Sequence, residues 1–346
     1  MRREVAVVLG TEGLPPHEAA WRLVTASWIS HAVRAMAVLG LADQLANGPL
    51  TAGELAAAIG ADPVATADLL RALAGLGLLQ HDEVGRARLT PVGEVLRADV
   101  PGSLRPAVLG IMAPFQEQAR HELPEAVRTG AAVFPRVHGQ GFWEYLAAHP
   151  EEEAQFDAAM TSGADMRARA LLATRVLAGL GTLVDIGGGE GRLLAVALAA
   201  NPGLRGVLFD RLEVVPRAEA YLGSAGVRDR CELVGGDFFA AVPPGGDAYV
   251  LAQIVHDWPD EQAVAILRVC HRAMAPGARL CLIEQVIEPG DAFASAKLLS
   301  LSMLVSFGAR ERTAEEYRAL LEEAGFLEVS VHLGEPPWGI VEAVRP

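Results

Sequence analysis

The sequence of 346 residues predicts an α/β fold in which a mainly helical domain precedes a domain with a parallel β-sheet. Residues 1–100 are dense in Ala and Leu and poor in strand-forming residues. From residue 182 onward, short apolar segments alternate with helical patterns, and a glycine-rich stretch follows the first of them. We therefore predict a helical domain over 1–100, connecting helices over 101–180 and the α/β domain over 181–346.

Composition narrows the class of protein. The formal net charge is −14 and the isoelectric point is about 5.1, which argues against a nucleic-acid or anionic-membrane partner, since both require basic patches. The three cysteines form no CxxC spacing. The opening "MRREVAVVLG" has too short an apolar run for a signal peptide, and no apolar stretch approaches the ~20 residues that span a bilayer. We expect a soluble, reduced, cytoplasmic protein.

The N-terminal domain carries clear helix-start signals. Thr51 with Glu54 forms a capping box, and Asp62 before Pro63 gives a cap followed by proline at the first helical position. A short loop at Gly60 joins the two helices, and the segment "QHDEVGRARLTPVGEVL" after them resembles a small β-wing. This order is typical of a winged helix-turn-helix.

A transcription regulator is therefore one alternative. The second helix, however, offers Arg71 as its only basic residue beside Asp62 and Asp68, whereas a recognition helix needs several groove-facing polar or basic side chains. The segment "WRLVTASWISHAVRAMAVLGLADQLA" has more apolar surface than one stripe on a helix can bury. We predict a homodimer through this domain, with residues near Trp28 or His31 reaching the partner's pocket; the alternative is that the same chain covers this surface.

The α/β domain begins with "LVDIGGGEG". Glycines after a strand let the backbone approach a ligand, and the next helix presents free N–H groups. Asp210, at the end of the second strand candidate "RGVLFD", is placed to accept hydrogen bonds from a ribose. The further strand candidates are "RCELVGG", "DAYVLAQIV" and "ARLCLIEQV". An NAD-dependent dehydrogenase shares the glycine loop and Asp210, so these features leave NAD and S-adenosylmethionine both open.

Two later motifs add chemistry. In "GGDFF", Asp237 could bind an adenine amino group and Phe238 could pack on its face, or the pair could be a turn aspartate and a core aromatic. In "IVHDWPDE", His256 ends the next strand at the same sheet edge. Glu284 in "LIEQV" and Glu311 in "ARERT" are carboxylates that could orient the imidazole and raise its basicity, as a general base requires.

With these motifs in order, the sequence resembles the S-adenosylmethionine-dependent small-molecule O-methyltransferases of the caffeic-acid type, especially the bacterial branch that tailors aromatic polyketides and antibiotics. The resemblance covers nearly the whole chain and includes "CLIEQVI" and "ERTAEEYRALLEEAGF". It implies a Rossmann-like class I methyltransferase domain preceded by a winged-helix-like dimerisation domain. It also implies S-adenosyl-L-methionine as cofactor and S-adenosyl-L-homocysteine as product.

The resemblance assigns residues. The positions that match the family's cofactor contacts are Asp185, Gly187, Gly189, Asp210, Asp237, Phe238 and Gln253. His256 matches the general base, and Glu284 and Glu311 match the acidic pair around it. The positions that match acceptor contacts are Phe156, Met160, Asp257 and Met303, with the connecting helices contributing to the pocket. Three departures stand out: Ala252 before the histidine, Arg211–Leu212 after Asp210, and "SFGARERT" without a double glycine.

We therefore expect methyl transfer to a hydroxyl on an aromatic, polyketide-like metabolite, and the resemblance implies that this hydroxyl is phenolic. His256 would take the proton, because an unactivated phenol has a pKa near ~10. No metal is expected, since no ligand cluster is evident at the acceptor site. Methyl transfer to nitrogen, or a non-methylating reaction on the same fold, remains open.

Overall fold

The computed structural model describes residues 11, 13–174, 176–333 and 337–346. The segment "MRREVAVVLG" lies outside the described residues. The chain divides into two compact units. One runs to Pro114 and includes Pro150–Ser162, and the other comprises Phe115–His149 and Gly163–Pro346. The helices of the segment 101–180 are thus shared between the two units.

The first unit is mainly helical, as its composition predicts. Its helices are α1 (Pro16–Val24), α2 (Ala26–Val38), α3 (Leu41–Gln44), α4 (Ala52–Ile59), α5 (Pro63–Gly75), α6 (Pro91–Glu94), α7 (Arg105–Ile111) and α12 (Pro150–Ser162). The Thr51 hydroxyl accepts a hydrogen bond from the Glu54 N–H, and the Glu54 carboxylate accepts one from the Thr51 N–H. Asp62 caps α5. The capping signals therefore start both helices where they were predicted.

The wing forms beside these helices. Strands β1 (Leu79–His81) and β2 (Ala87–Leu89) pair antiparallel. A core that includes Met36, Leu55 and Leu73 holds the helices together. On α5, Arg71 pairs with Asp68, and both side chains are exposed. The helix that would read DNA thus presents a neutralised basic residue.

The second unit contains the sheet. Its helices are α8 (Pro114–Arg120), α9 (Leu123–Thr129), α10 (Phe134–His138), α11 (Phe142–Ala148), α13 (Ala164–Ala173), α14 (Arg192–Ala200), α15 (Val215–Ser224), α16 (Asp260–Ala273), α17 (Ser295–Phe307) and α18 (Ala314–Glu323). Its strands are β3 (Thr182–Ile186), β4 (Arg205–Asp210), β5 (Cys231–Gly235), β6 (Ala248–Ala252), β7 (Arg279–Glu284), β8 (Leu327–Leu333) and β9 (Gly339–Val344). The strand order is β5-β4-β3-β6-β7-β9-β8.

Strand β3 lies at the point where the strand order reverses. The chain proceeds from β3 through β4 to β5 on one side, and then returns to pair β6 with the other side of β3. All of these pairings are parallel, as is β6 with β7. A crevice opens at the carboxyl ends of the strands where such a reversal occurs. The glycine-rich loop after β3 therefore lies where an α/β sheet binds its ligand.

Helices cover both faces of the sheet. Val184 and Ile186 of β3 point to the face packed by α16 and α18, whereas Leu183 points to the face packed by α13, α14 and α15. The parallel strands are buried on both faces, which explains their nearly continuous apolar sequences.

The antiparallel edge of the sheet was not predicted. Strand β9 pairs antiparallel with β7 and with β8. Only five residues lie between the end of β8 at Leu333 and the start of β9 at Gly339, too few for the crossover that a parallel pair requires. Because β9 is antiparallel, it begins at the edge of the sheet where β7 ends, with Gly339 paired to Glu284.

Within the described residues, no single helix is both long and apolar enough to cross a membrane. The bent pair Pro16–Val38 and Leu41–Asn47 meets the length and composition test only when its two parts are combined across a 55° break. The three cysteines are free and buried.

An apolar face on the first helices remains open to solvent in the single chain. Trp21 is 62% exposed, Trp28 is 67% exposed, and Val24 is exposed beside them. Several large apolar side chains exposed within one short helical segment are typical of an interface. We expect light scattering at about micromolar concentration to give twice the 36.5 kDa chain mass.

The matched variants are Trp28→Asp and Val84→Asp. Val84 is equally exposed, but it lies in the turn of the wing. We expect Trp28→Asp to shift the mass toward that of one chain and Val84→Asp to leave it unchanged. A wild-type protein with the mass of one chain would contradict the dimer.

Candidate active site

The glycine loop after β3 adopts a left-handed backbone. Gly187, Gly189 and Gly191 have φ of 69°, 57° and 81°. A Cβ at Gly187 would lie 2.5 Å from Cδ1 of Ile254, and one at Gly191 would lie 2.9 Å from Cδ1 of Leu208. Above Gly189 no atom lies within 4 Å of such a Cβ. The left-handed backbone favours glycine at all three positions, and the space above Gly189 lets a ligand approach the backbone.

Asp210 holds this loop in place. At the end of β4 its Oδ2 accepts a hydrogen bond from the Gly189 N–H at 2.8 Å, and its Oδ1 accepts one from the Arg211 N–H at 2.7 Å. Burial raises the pKa of Asp210 above its ordinary value, although both hydrogen bonds act in the opposite direction. Each oxygen keeps a lone pair, so the carboxylate can also accept hydrogen bonds from a diol.

Asp185 is buried beneath the loop, with 1% of its surface exposed. Its Oδ2 has no hydrogen-bond partner in the described part of the chain. Burial raises the pKa of Asp185 to about 7; the Asp210 charge adds to this rise, and Arg167 opposes it. A buried acceptor without a donor suits a ligand that brings an N–H or a positive charge.

Gln253 follows β6 in a strained conformation, with φ of 55°. Its Oε1 accepts a hydrogen bond from Nη1 of Arg167 at 2.9 Å. Burial lowers the pKa of the Arg167 guanidinium to about 10. Arg167 was not predicted, because it lies in α13 before the sheet begins and belongs to no recognisable motif. It adds a cation to a site otherwise lined by acids.

Asp237 and Phe238 lie after β5. Oδ1 of Asp237 accepts a hydrogen bond from the Phe239 N–H at 2.9 Å. The Phe238 and Phe239 rings pack against the indole of Trp258. The structure shows the turn aspartate and the packed aromatic ring that the sequence analysis gave as the alternative to a ligand site. Binding of adenine by these residues stays a prediction.

His256 lies in a single 3₁₀ turn, Val255–Asp257, directly after β6. Its ring is buried, with 7% of the side chain exposed. Nδ1 lies 2.5 Å from Oε1 of Glu311 and 3.8 Å from Oε2 of Glu284. Nε2 lies 3.4 Å from Oδ1 of Asp257. The structure thus brings together the four residues that the sequence analysis placed around one reaction.

Glu284 also shapes the turn. At the end of β7, its Oε1 accepts hydrogen bonds from the Val255 N–H at 2.9 Å and from the Ile254 N–H at 3.3 Å. Oε2 of Glu284 and Oε2 of Glu311 are buried without a partner in the described part of the chain. The buried carboxylate therefore anchors the backbone beside His256 as well as facing its ring.

Burial by itself would lower the pKa of His256. The carboxylates of Glu311, Glu284 and Asp257 outweigh that effect and raise the pKa of His256 to about 10. Burial also raises the pKa of Glu284, and it raises the pKa of Asp257 to about 6 even though His256 acts against the rise. The cluster holds a proton on the imidazole far above the usual pH range of histidine.

The side chains around the imidazole also have the composition of a metal-ligand cluster. Ligand atoms of His256, Glu284 and Glu311 lie within 4.8 Å of one another. Two ligands at ~2.0–2.2 Å from one tetrahedral ion lie about 3.3–3.6 Å apart. Nδ1 of His256 and Oε1 of Glu311 are closer, at 2.5 Å. That separation is a direct hydrogen bond and does not fit two ligands of one ion.

The four predicted acceptor-binding residues divide between the units. Asp257 is beside His256, and Met303 is buried on α17, which packs against the histidine turn. Phe156 and Met160 lie on α12, in the first unit. Contact of all four with an acceptor stays a prediction.

The loop without a double glycine still delivers Glu311. Gly308 ends α17 with φ of 66°, and a Cβ there would lie 3.0 Å from the Ala132 backbone nitrogen. Ala309, at the following position, is buried. Glycine is therefore needed at position 308 but not at position 309. With alanine at 309, Glu311 still forms its hydrogen bond with His256.

Comparison with known families assigns both parts of the chain. Residues 120–327 match the O-methyltransferase domain, and residues 21–99 match the O-methyltransferase dimerisation domain. The dimerisation domain indicates a homodimer.

Individual relatives agree. O-demethylpuromycin-O-methyltransferase of Streptomyces alboniger is 41% identical over 333 residues, covering 93% of this chain and 88% of the relative. 8-amino-8-demethylriboflavin N,N-dimethyltransferase of Streptomyces davaonensis is 37% identical over 318 residues, covering 91% of each chain.

A solved structure carries the cofactor. The O-methyltransferase NcsB1 from neocarzinostatin biosynthesis, in complex with S-adenosylmethionine and 2-hydroxy-5-methyl naphthoic acid, superimposes with a TM-score of 0.76 at 34% identity. The match covers 92% of this chain and 96% of that chain. The choice between NAD and S-adenosylmethionine is thereby decided. The chain belongs to the S-adenosylmethionine-dependent O-methyltransferases that carry a dimerisation domain.

Proposed function

We propose that this O-methyltransferase acts on a phenolic hydroxyl of an aromatic secondary metabolite, with His256 as general base. The observation that carries the proposal is the buried hydrogen bond between Nδ1 of His256 and Glu311. It orients the ring and keeps a proton on Nδ1, so that Nε2 is the nitrogen that accepts a proton once the imidazole is neutral. The aromatic compounds in the names of the relatives support the acceptor class.

The residues after β3, β4 and β6 suit S-adenosylmethionine, which supplies the methyl group as a sulfonium. The unpartnered Oδ2 of Asp185 would accept from the amino group of the methionine part, and Arg167 would face its carboxylate. Asp210 would hold the ribose hydroxyls beside the open backbone at Gly189. Gln253 would line the same cavity, and Asp237 with Phe238 would bind adenine. The buried carboxylates of Asp185 and Asp210 favour a ligand that carries positive charge.

The pKa of His256, about 10, lies near the ~10 of an unactivated phenol. The proton therefore moves between the phenol oxygen and Nε2 with little difference in free energy. Glu311, Glu284 and Asp257 stabilise the resulting imidazolium. Because the imidazole is itself mostly protonated at neutral pH, only its deprotonated fraction can act as the base, and the rate should rise with pH toward about 10.

The remaining parts of the proposal concern the surroundings of the reaction. Phe156, Met160, Asp257 and Met303 would contact the acceptor, with the partner subunit contributing residues near Trp28 or His31. A cytoplasmic location is supported by the three unpaired, buried cysteines.

An amine acceptor is the second candidate, because one relative is an N,N-dimethyltransferase. We expect a screen of hydroxy-substituted aromatics and their amino counterparts, with methyl-labelled S-adenosylmethionine and product mass spectrometry, to give products methylated at oxygen. Methylation confined to the amines would overturn the phenol assignment and leave the family assignment intact.

His256→Ala tests the base. Turnover of a phenol at neutral pH should fall by ~10²–10⁴-fold while affinity for S-adenosylhomocysteine stays near wild type. The deficit should shrink at pH values above ~10, where the phenol ionises unaided. Steady-state rates across pH and calorimetric titration give both quantities.

His332→Ala is the control, since His332 is an exposed histidine on β8. It should leave turnover unchanged. Nearly full activity of His256→Ala at neutral pH would show that proximity alone carries the reaction.

A further inference from the structure

The side chain of Arg312 is fully buried next to Glu311. Its guanidinium binds residues on and next to the turn that carries His256. Nη1 donates to the Val255 carbonyl at 3.0 Å, and Nη2 donates to the Trp258 carbonyl at 2.7 Å. Nε and Nη2 donate to Oδ1 of Asp260 at 2.9 and 2.7 Å. These acceptors flank His256 on both sides in the sequence.

The backbone of Arg312 is also fixed. Its carbonyl accepts a hydrogen bond from the Ile287 N–H at 2.9 Å, just beyond β7. Glu311 is the preceding residue. The hydrogen bond from Ile287 therefore fixes the backbone that carries the Glu311 carboxylate relative to the end of β7. The hydrogen bonds of the Arg312 side chain fix the same backbone relative to the turn that carries His256. One residue therefore sets the separation between the two partners of the 2.5 Å hydrogen bond.

We propose that Arg312 is a positioning residue that holds the His256 turn and Glu311 in register for proton transfer. The proposal rests on the role of His256 given above. Arginine is required because its planar fork reaches two carbonyls and a carboxylate at once, whereas a lysine ammonium is a single point charge on a flexible stem. Displacement of a reacting group by about 1 Å costs on the order of 100-fold in rate.

Arg312→Lys keeps the charge and removes the fork. We expect turnover to fall by ~10–100-fold, with the acceptor KM and the affinity for S-adenosylhomocysteine little changed. The neighbouring Arg310 supplies the control, because it also binds Asp260, at 2.9 Å, but is 43% exposed and pairs otherwise with Glu316. Arg310→Gln should keep wild-type turnover.

A double-mutant cycle separates positioning from general structural damage. If Arg312 acts through His256, Arg312→Lys should have almost no further effect on turnover in the His256→Ala background. An equal loss in both backgrounds, or unchanged turnover of Arg312→Lys alone, would overturn the proposal. Full activity of His256→Ala would instead overturn the base assignment on which the proposal rests.

If Arg312→Lys does not fold, Asp260→Asn replaces it in the same cycle. Asp260 is half-exposed, so this change weakens one partner of the fork at little cost to the fold. A smaller loss of turnover that disappears in the His256→Ala background supports positioning. A loss that persists in that background, or no loss at all, contradicts it.

Discussion

A histidine ring and three carboxylates, those of Glu311, Glu284 and Asp257, share one buried space, and the surrounding elements are arranged to keep them there. A buried charge without a partner is costly, because neither water nor a counterion stabilises it. Strand β6 leads into the turn with His256, β7 ends at Glu284, and the segment after α17 delivers Glu311. The parallel sheet fixes the positions of His256 and Glu284, and the hydrogen bonds of Arg312 fix the position of Glu311.

The same sheet edge explains the cofactor half of the site. Two adjacent strands, β3 and β4, end at the point where the strand order reverses. Their ends and the loop after β3 carry Asp185, Gly189 and Asp210. The hydrogen bond from the Gly189 N–H to Asp210 closes the loop, and burial keeps Asp185 poorly solvated. An acidic, dehydrated crevice of this kind suits a cofactor with an ammonium and a sulfonium. The proton acceptor and the proposed cofactor residues thus belong to one edge of one sheet, which supports the transfer geometry that the reaction requires.

Local signals allowed much of this to be predicted from sequence. The capping box of Thr51 and Glu54 and the parallel strands of the sheet appear where the motifs placed them, because short-range hydrogen bonds and hydrophobic periodicity determine such features. The antiparallel hairpin at the sheet edge was missed, and Arg167 and Arg312 were not recognised as parts of the site. Their roles depend on packing between segments that are distant in sequence: Arg167 meets Gln253 across 86 positions.

The protonation state of His256 tests the central claim most directly. Histidine-selective ¹⁵N NMR, with the spectrum of His256→Gln to assign its signals among the nine histidines, follows the imidazole through a pH titration. The three carboxylates predict a ring that stays protonated through neutral pH and titrates near a pKa of about 10. In Glu311→Gln the midpoint should move to lower pH, because the nearest negative charge is gone. A wild-type midpoint at or below the ordinary histidine value of ~6.5 would contradict the account.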